Sequence, residues 1–161
     1  LTNPAGARWQ LVGVFDRAWV HPLAEAFSNL GSVHTLVVCS EDGLDEISIA
    51  SDTHVSELRD GSIRDYVITP EQFGVARQSL ASLVVGDAEE SCQMIRSALN
   101  GEPGPASDMV ALNAGATIYS ADLADSMEAG VERAKAILSS KAGAAKLDEL
   151  CAYTQQFTEQ D

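Results

Sequence analysis

Apolar and polar positions along this chain fall into two regimes: short runs in the first half, and helical spacing from Asp87 onward. Arg8 to Phe15 reads Arg-Trp-Gln-Leu-Val-Gly-Val-Phe, rich in β-branched and aromatic residues and too short for a typical helix, which predicts a buried strand. Behind Pro22, the positions Leu23, Ala26, Phe27 and Leu30 follow helical spacing and stop at Gly31, the signature of an amphipathic helix. Val33 to Cys39 follows as a nearly continuous apolar run, the pattern of a strand covered on both faces in a parallel sheet. Strand, helix, strand makes a βαβ unit, and the polar loop Ser40-Glu41-Asp42-Gly43-Leu44-Asp45-Glu46 then leaves the carboxyl end of the second strand, where open α/β sheets keep their sites.

Two further runs, His54 to Leu58 and Ser62 to Ile68, flank Arg59-Asp60-Gly61, whose Asp-Gly pair favours a tight turn and so predicts an antiparallel edge hairpin. Thr69 to Gly74 has a capping Thr, a Pro at the first helical position and a terminating Gly, a single capped turn. The later helices are expected over Ala88 to Leu99 behind Asp87 as cap, with Cys92, Ile95 and Leu99 on one face. Others follow from Met109 through Tyr119 behind Ser107 or Asp108, over Asp125 to Leu138 and over Ala144 to Phe157. The Ala and Gly content of the second of these implies close packing against its neighbours. The expected fold is α/β: a mixed, mainly parallel sheet flanked by helices, with the antiparallel hairpin at its edge. There is no internal repeat and no low-complexity tract.

Length and composition narrow this picture. A chain of 161 residues with 45% hydrophobic and 21% charged residues has the size and make-up of one globular domain able to bury a core. The longest apolar runs fall far short of the roughly 20 residues a spanning helix needs, so no membrane partner is expected. The amino terminus lacks the basic and apolar regions of a secretion signal. It also lacks a starting Met, and an opening Leu that runs into the turn-like Asn3-Pro4 is what a segment from the interior of a longer gene product would show. Three cysteines, Cys39, Cys92 and Cys151, match neither a disulfide framework nor a zinc site, which favours a reducing compartment, the cytoplasm. Twenty-four acidic against ten basic residues give a formal charge of −14, a field that repels phosphate backbones and argues against nucleic acid as partner.

Chemistry is sparse. Gly-x-Ser-x-Gly and Gly-x-x-x-x-Gly-Lys are both absent, which removes the elbow-serine hydrolase and P-loop readings. His21, His34 and His54 have no partner at ligand spacing and are expected to be structural. Asp45 and Glu46 are adjacent carboxylates in the loop beyond a strand end. On spacing alone they are either a solvated acidic surface or a pair able to hold Mg²⁺, a hard cation that shares oxygen ligands with substrate phosphates.

Gly43-Leu44-Asp45-Glu46-Ile47-Ser48, followed by Val55-Ser56-Glu57-Leu58-Arg59-Asp60-Gly61 and Thr69-Pro70-Glu71-Gln72-Phe73-Gly74, resembles the anthranilate phosphoribosyltransferase family. Leu1-Thr2-Asn3-Pro4-Ala5 looks like the end of that family's Gly-Pro-Leu-Thr-Asn-Pro segment, and Leu112-Asn113-Ala114-Gly115-Ala116 looks like its Leu-Asn-Ala-Ala helix. The resemblance implies the large α/β domain of a nucleoside-phosphorylase/phosphoribosyltransferase-like fold, incomplete here. Residues 1–161 would be the carboxy-terminal part of that domain, with the amino-terminal helical domain missing. It implies an enzyme that joins anthranilate to phosphoribosyl pyrophosphate, releasing pyrophosphate, in tryptophan biosynthesis. Mg²⁺ is the implied cofactor, Asp45 and Glu46 its implied ligands, and a homodimer the implied full-length assembly. The family's glycine-rich loop and Lys-His-Gly-Asn segment, which cradle the anionic substrate, are absent, so this segment alone is expected not to turn over substrate. Two relatives compete: a non-catalytic nucleic-acid binder, which should be basic and lack the acid pair, and pyrimidine-nucleoside phosphorylase, which matches the Gly-Leu-Asp-Glu-Ile-Ser block less well. A partner-binding domain with a merely solvated acidic loop is the third alternative.

Overall fold

The computed structural model describes residues 5–157; the Leu1 to Pro4 segment of the sequence reading lies outside them. Strand β1 (Trp9–Gly13) leads through a 3-10 turn at Arg17–Trp19 into helix α1 (Val20–Asn29) and back into β2 (His34–Ser40), which pairs with β1 in parallel, Trp9 against His34 and Gly13 against Val38. The expected βαβ unit is therefore present. Pro22 lies in the first turn of α1, where a missing N–H costs nothing, and Gly31 follows its end at a φ of 80°. Every residue of β2 is buried, as its continuous apolar run requires. β1, expected to be buried, is instead a half-exposed edge strand among the described residues.

β3 (Thr53–Arg59) and β4 (Ser62–Ile68) complete a four-stranded sheet in the order β1-β2-β3-β4. Asp60 and Gly61 join them with both φ angles positive, 51° and 74°, the backbone that a two-residue hairpin with the right twist demands. The α/β class and the mixed sheet hold, but the emphasis on parallel pairing is corrected: β2–β3 and β3–β4 are both antiparallel. The reason lies in residues 41–52. A parallel return needs a crossover element, and this stretch contains no helix, so the chain can only fold straight back beside β2. The hairpin consequently contributes an interior strand, β3, as well as the edge strand β4.

One core lies between the sheet and helix α1, built on Val20, Ala24, Phe27, Val37, Cys39 and Leu58. On the opposite face Leu36, Val38, Ile47, Ile49 and Val55 pack with Leu112 and Ala116 of α3 (Pro105–Ser120) and with Met127 and Val131 of α4 (Met127–Ser139). The turn at Pro70–Phe73 is capped as expected, Thr69 and Gln72 forming a reciprocal capping box and Gly74 closing it at a φ of 68°. Helix α2 (Ala88–Leu99) is capped by Asp87, whose side chain accepts from the Glu90 amide at 2.9 Å. Ala98 is its buried residue, and the face that carries Cys92 and Ile95 is exposed. α3 begins at Pro105 behind Gly104, one turn earlier than a Ser107 or Asp108 cap would place it, because Pro at the first position needs no donor partner. α5 (Ala142–Gln155) lies outermost, tied to α2 by Arg96–Asp148 at 2.8 Å. Among the described residues no helix is long and apolar enough to cross a membrane.

Candidate functional site

β1 and β2 run in parallel, so their carboxyl ends open on the same edge of the sheet, and the loop 41–52 rises from that edge. Its shape is set by short polar side chains. The Ser40 hydroxyl accepts from the Leu44 amide at 3.0 Å, the Glu41 amide donates to the Asp52 carbonyl at 2.9 Å, and Gly43 turns the chain at a φ of 88°. Asp42 is the centre of this cage, accepting hydrogen bonds from the Ser40 hydroxyl, from the Ser48 hydroxyl at 2.6 Å and from the Leu44 amide at 3.3 Å. Partial burial alone would raise its pKa. The donors from Ser40, Ser48 and Leu44 outweigh that and hold the carboxyl below its ordinary range.

Asp45 and Glu46 are treated differently by the same loop. Both are exposed, and neither carboxylate has a hydrogen-bond or ion-pair partner among the described residues. The backbone beneath them is nonetheless fixed. The Asp45 carbonyl lies against Gly13, where an added Cβ would come within 1.4 Å of it, and Ile47 is 2% exposed in the core. The side-chain amide of Asn113 in α3 bonds both the N–H and the C=O of Ile47 at 2.9 Å. Two free carboxylates thus project from a stiff mount. The Asp45 charge is felt nearby: burial pushes the Cys39 thiol up, and Asp16, Asp42 and Asp45 push it further.

The acidic residues around this edge divide by how they are paired. Glu41 lies 3.5 Å from His54, and Asp52 and Glu71 are bound to Arg77 at 2.6 and 3.0 Å, so the charges of those last two are offset. Asp45 and Glu46 are not. Hard carboxylate oxygens suit Mg²⁺, and a cation held by two of them would complete its shell with water and phosphate oxygens. Among the described residues no group of three or more His, Cys, Asp or Glu is gathered for a metal.

His54 lies against Glu41 of this loop, and the other two histidines stand apart from it. His34 is buried at the opposite end of β2, between Glu57 at 3.1 Å and Asp122 at 3.0 Å, the structural role expected of it. His21 is half exposed against Asp65 at 2.8 Å. Gly13 and Asn113, which hold the loop, were not singled out as site residues from the sequence. Asn113 stood there only as part of a family-like helix motif, and no spacing signal connects it to Ile47.

Residues 1–146 match the family described as glycosyl transferase family, a/b domain. The chain is 54% identical over 157 residues to an anthranilate phosphoribosyltransferase of Methylococcus capsulatus, which covers 98% of this chain and 46% of that protein. It is 52% identical over 161 residues to one of Chromohalobacter salexigens, covering 100% of this chain and 47% of the relative. It therefore spans about half the length of the curated relatives it matches. The crystal structure of an anthranilate phosphoribosyltransferase from Thermus thermophilus superposes with a TM-score of 0.87 at 39% identity, over 96% of this chain and 45% of that one. The Saccharomyces cerevisiae enzyme in complex with PRPP and Mg shares the fold, with a TM-score of 0.76 at 20% identity over 86% of this chain and 41% of that one.

Proposed function

We propose, on the premise that this chain belongs to the glycosyl transferase family through its a/b domain, that it is the carboxy-terminal part of an anthranilate phosphoribosyltransferase. In this reading Asp45 and Glu46 hold Mg²⁺ against the departing pyrophosphate. The observation that carries it is the contrast within one loop: Asp42 is saturated by Ser40, Ser48 and Leu44, while the two acids that follow are exposed, unpaired and rigidly mounted.

The reaction breaks the bond between the ribose anomeric carbon and the pyrophosphate oxygen and forms one from that carbon to the anthranilate nitrogen, which gives up one of its two protons. Negative charge collects on the leaving oxygens, and a bound Mg²⁺ supplies Lewis-acid stabilisation there. The chain's own part is to keep two carboxylate oxygens aimed outward from the sheet edge without reorganisation as that charge develops. Without a cation the same two carboxylates would repel the pyrophosphate, so the pair is useful only when loaded. Phosphoribosyl pyrophosphate and anthranilate are the small-molecule partners of this reading, and its full-length form is a cytoplasmic homodimer.

The test is a Mg²⁺ titration of the intact transferase with saturating substrates, wild type against Asp45→Asn/Glu46→Gln. Loss of both ligands is expected to raise the Mg²⁺ needed for half-maximal rate and to slow turnover by about 100-fold, in the range seen when metal-site geometry is disturbed. Unchanged kinetics would remove the metal role.

A further inference from the structure

No residue of the family-like helix segment Leu112–Ala116 is a ligand in the reading above, yet one of them reaches the acid loop. Asn113 is 66 residues from Ile47, and its Oδ1 accepts from the Ile47 amide while its Nδ2 donates to the Ile47 carbonyl, both at 2.9 Å. Nδ2 also donates to the Met109 carbonyl at 3.0 Å. The orientation of the amide is fixed by this set, since a flipped group would point its oxygen at two carbonyls. An Asn side chain here does what a neighbouring strand would do, pairing both polar groups of one backbone residue.

The place where this happens matters. Ile47 directly follows Glu46, and the planar peptide between them means that holding the Ile47 N–H also fixes the Glu46 carbonyl plane. On the other flank, the missing side chain of Gly13 lets the Asp45 carbonyl close onto the end of β1. Because Asp45 and Glu46 have no side-chain partners among the described residues, only their backbone can place them. The helix that carries Asn113 is itself locked against α4, where Gly115 and Gly130 are in backbone contact.

We infer that Asn113 is a positioning residue for the Asp45–Glu46 pair, clamping the peptide behind it so that both carboxylates keep the aim a shared cation requires. The inference rests on the metal reading above, and its test separates the two. In the intact transferase, Asn113→Ala is expected to raise the Mg²⁺ concentration for half-maximal rate and to lower kcat, each by about tenfold, with KM for anthranilate moving less than about twofold. Asn113→Asp keeps the shape but turns an oxygen toward the Ile47 and Met109 carbonyls, so it should show the same split; it carries the test if the alanine variant does not fold. Added to Asp45→Asn/Glu46→Gln, Asn113→Ala should shift the Mg²⁺ dependence no further, because the clamp then has nothing to position. A lowered Tm with normal Mg²⁺ dependence and kcat, measured well below that Tm, would reduce Asn113 to a structural residue and overturn the inference. If Asp45→Asn/Glu46→Gln itself leaves Mg²⁺ dependence unchanged, the metal reading fails first and the inference falls with it.

Discussion

Glu57 is 3% exposed and carries a charge inside the protein, which is tolerable only because its oxygens are occupied: His34 Nε2 at 3.1 Å, the Tyr119 hydroxyl at 2.6 Å and Arg64 at 2.9 Å. Burial works to raise its pKa, and the donors from His34, Tyr119 and Arg64 outweigh it and bring the value down to about 2. His34 moves the other way. Burial opposes its charge, but hydrogen bonds to Glu57 and Asp122 raise its pKa above 6.5. The stability that Glu57 contributes is present above its ordinary 4.5 and is lost as pH falls through about 2. That of His34 is complete below 6.5 and is lost as pH rises through its raised folded pKa. The pair therefore supports the fold most fully between 4.5 and 6.5. Urea unfolding across the pH range should show wild-type stability declining on the alkaline side, with His34→Gln flattening that decline. Glu57→Gln should cost about 3 kcal/mol near pH 6, since it removes the buried carboxylate that His34, Tyr119 and Arg64 all engage and leaves His34 with Asp122 alone as counter-charge. Parallel alkaline limbs for wild type and His34→Gln would show that His34 is neutral in the fold. At this scale the sequence was partly legible: an isolated histidine in an apolar run reads as structural, but its carboxylate and phenol partners lie 23 and 85 positions away, at distances that no local pattern spans.

Helices α3 and α4 meet through glycine. A Cβ on Gly115 would stand 2.5 Å from the Val131 Cα, and one on Gly130 would stand 2.3 Å from the Gly115 carbonyl, so each backbone occupies the space a side chain would need on the other. Gly115→Ala would gain up to about 1 kcal/mol in helix propensity. Forced separation of the two helices should cost more, about 2–3 kcal/mol, because overpacking against backbone cannot be relieved by a rotamer change. The net expectation is a Tm lower by roughly 3–8 °C with unchanged helical circular dichroism. A variant at or above wild-type Tm would mean that the helices have slack. The Ala and Gly content of this helix did announce close packing, as the strand-helix-strand alternation announced the βαβ unit and Asp60-Gly61 the hairpin. Two things at this scale were not legible. The direction in which β3 runs depends on whether residues 41–52 hold a helix, which hydrophobic runs do not report, and the outward turn of Cys92 and Ile95 reflects how little of α2 the fold covers. The acid pair was legible as a motif, but its mount was not, since Gly13 and Asn113 join it only through tertiary contact.

The whole chain carries a net charge of −14, and that field complicates any claim that Mg²⁺ binds at one place. Self-repulsion destabilises a compact state of one sign, and any added salt relieves it, with a screening length of about 10 Å at 0.1 M. Mg²⁺ would therefore stabilise this protein even if Asp45 and Glu46 did nothing. The double substitution adds a second confound, since removing two negative charges takes the net value from −14 to −12 and relaxes the fold by itself. Site binding is separable because screening depends on ionic strength whereas occupancy depends on the ion. For the 161-residue chain, Tm is expected to rise with KCl in both wild type and Asp45→Asn/Glu46→Gln. Replacing KCl by MgCl2 at matched ionic strength should then add a further rise, saturating with concentration as a one-site ligand does, that is larger in wild type than in the double variant. Inorganic pyrophosphate should enlarge that increment in wild type only, by supplying the oxygens that two carboxylates leave wanting. Equal Mg²⁺ increments in the two proteins would mean that the cation is gathered by the acidic surface at large, and the contrast between Asp42 and its two unpaired neighbours would then be a matter of loop folding alone.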